Sequence, residues 1–82
     1  MQKSTFTRDY RVFLETLREC RRNADVSQMG LATKLDQSQS FVSKCERGET
    51  RLDLVQLRVW CRALGITLGR FVELYEDRLK RK

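Results

Sequence analysis

The chain has 82 residues, of which 40% are hydrophobic and 34% charged, with 17 lysines and arginines against 11 acids and a net charge of +6. That suffices for one globular domain with a small core and is too apolar for a disordered chain. No run approaches a membrane span and the opening MQKSTFTRDY has no apolar signal stretch, so a soluble, cytoplasmic protein with no membrane partner is expected.

Phe6, Tyr10, Phe13, Leu14, Leu17 and Ala24 recur at helical spacing and predict an amphipathic first helix over about 8–23, capped by Thr7. Ser27 is placed to cap a second helix, with Leu31, Ala32 and Leu35 on its inner face. Gly30 lies inside that helix and should weaken it by about 1 kcal/mol relative to alanine. Ser38 can cap a third helix that runs to about Arg47, before Gly48 stops it. Asp53 can cap a fourth, with Leu54, Leu57, Trp60, Cys61 and Leu64 inward and Gly65 as terminator. Thr67 then caps a fifth over about 68–80, with Leu68, Phe71, Val72, Leu74, Tyr75 and Leu79 apolar. Proline is absent and strand-like alternation is hard to find. The prediction is an all-α, compact five-helix domain spanning 1–82, with short turns between helices.

The third helix has an odd composition. Val42 and Cys45 are its clear inward residues, while Gln39, Ser40, Ser43, Lys44 and Arg47 stand on the other side. The second and third helices together, over about 27–47, have the lengths and tight join of a helix-turn-helix, which places its second helix in the DNA major groove. Glutamine can pair with adenine, lysine can reach guanine acceptors and serine serves either. The net positive charge also favours a polyanionic partner. The plain alternative is a solvated polar helix face. Phe41, at the rim, is expected to pack on the second or fourth helix rather than touch a thymine methyl. Trp60 is expected in the core, and the RLKRK end, which could add phosphate contacts, is read as a soluble tail.

Cys20, Cys45 and Cys61 are odd in number and irregularly spaced, which fits reduced thiols acting as small apolar residues rather than a disulfide framework. With no histidine, a zinc site is disfavoured. There is no histidine for a general base, no nucleotide-binding glycine loop and no paired-acid site, so no enzyme, metal or cofactor is expected.

The series Ser27-Gln28, Leu31-Ala32, Leu35, Ser38-Gln39-Ser40, Val42-Ser43-Lys44, Glu46-Arg47-Gly48 and Leu64-Gly65 resembles the phage repressor/Cro type of helix-turn-helix, the xenobiotic-response-element family, over roughly residues 17–72. The resemblance implies a lambda repressor-like DNA-binding fold. It implies that Gln39, Ser40, Ser43 and Lys44 read bases. Gln28 would contact a phosphate and brace the first recognition residue, and Arg47 and Arg51 would grip the DNA backbone. It also implies an ion pair between Arg21 and Glu46, which would keep the one carboxylate of the recognition helix from repelling DNA. The chain departs from the family pattern at Asp36, where glycine is usual, at Gln37, where an apolar residue is usual, and at Leu52, where proline is common.

The resulting expectation is a sequence-specific regulator of transcription, a repressor or activator that binds double-stranded DNA as a homodimer on a palindromic operator. Val72, Tyr75 and Leu79 form a strip on the fifth helix suited to a two-fold contact. Two other readings share the fold: a protein-interaction module, such as an antitoxin or adaptor with secondary DNA binding, and a controller of a restriction–modification operon.

Overall fold

The computed structural model describes residues 7–81. Phe6, expected on the first helix, and Lys82, of the basic tail, lie outside them. Five helices follow in order: α1 Arg8–Asn23, α2 Gln28–Leu35, α3 Gln39–Glu46, α4 Leu54–Ala63 and α5 Leu68–Arg81. No strand occurs among the described residues, and the all-α five-helix expectation is borne out.

Side chains close the helix starts. Thr7 Oγ1 accepts from the Tyr10 amide at 3.2 Å, Ser27 Oγ from Gly30 at 2.9 Å, Ser38 Oγ from Phe41 at 3.1 Å and Thr67 Oγ1 from Arg70 at 3.0 Å. At α4 the bonding is reciprocal: Asp53 Oδ1 accepts from the Gln56 amide, and Gln56 Oε1 accepts from the Asp53 amide. Each bond satisfies a backbone donor that the helix itself leaves open. Gly30 has a local reason to lack a side chain. A Cβ there would lie 3.2 Å from both Val26 Cγ1 and Ser27 Oγ, against the cap itself.

The turns use left-handed backbone. Asp25, Asp36, Gly48 and Gly65 have φ of 61°, 58°, 83° and 79°, and each stands just beyond a helix. After α1, the Asp25 amide donates to Arg22 O and the Val26 amide to Arg21 O, closing the helix end.

The core gathers Leu14, Leu17 and Cys20 of α1, Leu31 and Ala32 of α2, Val42 and Cys45 of α3, Leu57, Trp60 and Cys61 of α4, Leu64 beyond it, and Phe71 of α5. The three cysteines are buried and unbridged. Burial, helped by Glu46 and Cys20 respectively, pushes the Cys45 and Cys61 thiols up to about 11, so they stay protonated and inert at neutral pH. Val12 and Thr16, missing from the expected apolar stripe, are also buried, and the Thr16 hydroxyl is satisfied by the Val12 carbonyl at 2.7 Å. Leu54 corrects the sequence reading in the other direction: it is 66% exposed. It shares the periodicity of Leu57 and Cys61, but it is the first residue of α4 and is not among the core side chains.

α5 is strapped along α1. The Phe13 ring meets Phe71 and Tyr75 edge-on, at centroid separations of 5.8 and 6.3 Å. The Tyr75 hydroxyl donates to Asp9 O at 3.0 Å, Arg8 Nη2 donates to Leu79 O at 2.6 Å, and Arg78 bridges to Glu15 and Glu19. The α2–α3 pair meets α1 through α3 and α4 through α2, with Gln39, Ser40 and Lys44 of α3 exposed.

Candidate nucleic-acid interface

The join between α2 and α3 is residues 36–38. Asp36 adopts φ 58° and ψ 44°, donates its amide to Ala32 O and Thr33 O, and is followed by the Gln37 amide donating to Ala32 O at 2.9 Å. The turn is therefore closed with aspartate where glycine is usual. Gln37 is exposed and lines a shallow cleft with Leu35, Phe41, Val55, Val59 and Trp60. Phe41 packs edge-on against Trp60, with centroids 6.5 Å apart, so it belongs to the α3–α4 contact.

α3 has two chemically distinct sides. Val42, Cys45 and Glu46 are buried; Gln39, Ser40, Lys44 and Arg47 are exposed, and Ser43 is half-buried. Glu46, at 1% exposure, is the anomaly on the inner side. Its Oε2 accepts from Arg21 Nε at 2.7 Å, and its Oε1 accepts from Arg21 Nη2 at 3.1 Å and from Gln28 Nε2 at 3.0 Å. Gln28 Oε1 in turn faces Gln39 Nε2 at 3.4 Å. A line of polar side chains thus runs from Arg21 in α1 to Gln39 at the start of α3. Arg21 is itself anchored by Nη1 donating to Val26 O at 3.0 Å. The pair expected between Arg21 and Glu46 is present, two-pronged, and keeps the carboxylate off the outer face.

Arg18 was not singled out from sequence. Its Nη1 donates to the Glu46 carbonyl at 2.8 Å, satisfying a group at the C-terminal end of α3. The available signal was its position one helical turn before Arg21.

Two more partners emerge around the expected backbone contacts. Arg47 donates through Nε and Nη2 to Glu49 at 2.9 and 3.3 Å, and through Nη1 to Ser43 Oγ. The Arg47 hydrogen bond and charge hold the Glu49 carboxyl below the usual carboxylate range, and Glu49 raises the Arg47 guanidinium likewise. Glu49 was invisible as a partner because it lies only two residues on; Gly48, at φ 83°, bends the chain so that the two side chains meet. Arg51 lies over the Tyr10 ring, its guanidinium carbon 4.2 Å from the centroid. Tyr10 sits 5.3 Å from Phe13, so α1 supplies an aromatic support for an arginine of the α3–α4 loop.

On α5, Val72 is 44% exposed, while Tyr75 and Leu79 are half-buried, Tyr75 against Phe13. Larger apolar exposure lies on α4, where Leu54 is joined by Val55 at 72% and Val59 at 49%. Among the described residues no helix is long and apolar enough to cross a membrane, and no cluster of three or more metal-ligating side chains occurs.

A helix-turn-helix domain family matches residues 13–74. Among solved structures, the chain is similar to an XRE-family like protein from Pseudomonas syringae pv. tomato str. DC3000, at 36% identity and a TM-score of 0.77, over 84% of each chain. It is also similar to the clp gene regulator ClgR from C. glutamicum, at 22% identity and a TM-score of 0.76, over 93% of this chain and 97% of that one, a likeness of fold. No curated protein matches the sequence.

Proposed function

The chain belongs to the XRE/Cro-type helix-turn-helix family of DNA-binding proteins, which are not enzymes, and from that premise we propose that it is a sequence-specific transcription regulator acting in the cytoplasm as a homodimer on a palindromic operator. The observation that carries the reading is the division of α3. Its inner side is closed by Val42, Cys45 and the neutralised Glu46, and its outer side presents Gln39, Ser40 and Lys44 to solvent. A helix that buries so little apolar surface is held in place so that its polar tips meet something else.

In this reading α3 enters the major groove. Gln39, Ser40, Ser43 and Lys44 read base edges, with Gln39 steadied by Gln28. Gln28, Arg47 and Arg51 contact phosphates, which fix register and carry no sequence information directly. One such helix reads only a few base pairs; two copies with recognition helices roughly 34 Å apart on one face of the duplex double the site. The exposed α4 patch of Leu54, Val55 and Val59 supports a two-fold contact there; the strip of Val72, Tyr75 and Leu79 on α5 is the other candidate.

Selection of bound duplexes from a random pool by the purified protein tests the proposal. An enriched inverted repeat is the expected result. Recovery of the pool without enrichment overturns sequence-specific reading.

A further inference from the structure

We propose that Glu49 is an internal competitor for DNA phosphate: its carboxylate occupies the face of Arg47 that a phosphate would take, and so limits how tightly the protein binds any duplex. This rests on the reading of Arg47 as a DNA-backbone contact. Carboxylate and phosphate both offer two oxygens to the planar fork of a guanidinium, and they are interchangeable in that geometry. Glu49 engages Nε and Nη2, and Ser43 Oγ engages Nη1, so every guanidinium nitrogen has an intramolecular partner. The Glu49 amide also donates to Lys44 O at 2.9 Å, which pins the acid beside the last turn of α3. The pair therefore stands at the end of the recognition helix, next to two residues read as base contacts.

The pair is placed for exchange rather than for folding. The Arg47 and Glu49 side chains are 54% and 55% exposed, and exposed ion pairs add about 0–1 kcal/mol to stability. Arg47 can therefore leave Glu49 for phosphate at little energetic expense, but with correspondingly little gain. An unpaired arginine docking on DNA releases a counterion. An arginine taken from a carboxylate releases the phosphate's cation, but the stranded acid draws back part of that screening from the solution and also faces the duplex with like charge. Glu49 thus lowers affinity and flattens its salt dependence together.

The test compares wild type, Glu49→Gln, Arg47→Ala and the double variant on the selected operator and on a random-sequence duplex across a salt series. Glu49→Gln is expected to raise affinity about three- to fivefold at low salt on both duplexes, the scale of one exposed ion pair. The slope of log affinity against log salt should steepen, with the increment for one whole phosphate neutralised, about 0.9, as its upper limit. In the Arg47→Ala background the same substitution relieves only the repulsion between the acid and the duplex, so it should raise affinity by no more than about twofold and change the slope less than in wild type. Equal gains in both backgrounds would mean general repulsion and overturn the competitor. Weakening by Glu49→Gln to the level of Arg47→Ala overturns it too, since the carboxylate would then be aiming the arginine at DNA. A protein that binds duplexes but is indifferent to Arg47→Ala defeats the competitor alone, whereas one that binds no duplex defeats the DNA-binding reading itself. Melting temperatures of all four proteins should agree, which separates binding effects from folding.

Discussion

Glu46 is held by three side-chain hydrogen bonds, two from Arg21 and one from Gln28, in a site closed to water. Removing the carboxylate strands the Arg21 guanidinium, and breaking one side of a buried pair costs about 3–5 kcal/mol. Glu46→Ala should therefore lower the urea midpoint by most of the stability of so small a domain; an unchanged midpoint would show the pair to be dispensable. Lys44 and Arg51 should separate in another way. Lys44→Ala is expected to lose about 1–3 kcal/mol on the preferred site and relax selection at one base pair, while Arg51→Ala weakens all duplexes evenly. Binding measured on the operator and on single-base variants distinguishes the two patterns, and matching patterns would mean the roles are wrongly divided. The Arg21–Glu46 pair was legible in the sequence through its resemblance to a family. Tyr10 and Glu49 were not, because their roles arise where the α3–α4 loop folds back, and side-chain periodicity is silent on loops.

At the scale of the helices, the caps were the most legible feature. Thr7, Ser27, Ser38, Asp53 and Thr67 all accept from the amide three residues on, because a short side-chain oxygen before an apolar run has little else to bond. Helix ends were half legible. Gly48 and Gly65 announce themselves, but Asp25 takes the same left-handed backbone without glycine's signal. These turns make two opposite predictions. Asp36→Gly relieves a Cβ in left-handed backbone, offset in part by the greater freedom of glycine in the unfolded chain, and should stabilise by about 0.5–1 kcal/mol. Gly65→Ala meets no heavy atom within 4 Å of the new Cβ, so its cost is conformational alone, about 1 kcal/mol. Thermal melting of the two variants should move in opposite directions; a shift of the same sign would mean the turns are not limited by φ. Leu54 was misread for a related reason: periodicity gives the angle of an apolar stripe around the axis, but not how far along the axis its partners extend.

For the whole molecule, a net charge of +6, with Arg47 and Arg51 read as phosphate contacts, predicts affinity that falls steeply between about 50 and 200 mM salt. Filter binding or anisotropy across that range checks it, and salt-independent binding would remove the electrostatic contribution. Light scattering at micromolar concentration should show a dimer. Val55→Asp and Val59→Asp should dissociate it to a folded, helical monomer if α4 carries the contact, whereas dissociation by Val72→Asp puts the contact on α5. A monomer that selects single half-sites would refute the homodimer. The strap between α1 and α5 has a kinetic side as well. α2 and α3 meet across a three-residue turn, but Tyr75 reaches Asp9 over 66 residues and Arg8 reaches Leu79 over 71. Closing so long a loop is entropically slow, and local pairings precede it. The α2–α3 hairpin should thus be assembled in the folding transition state while the strap is still open. Phe13→Leu would then speed unfolding and barely slow refolding, whereas Val42→Ala would slow refolding.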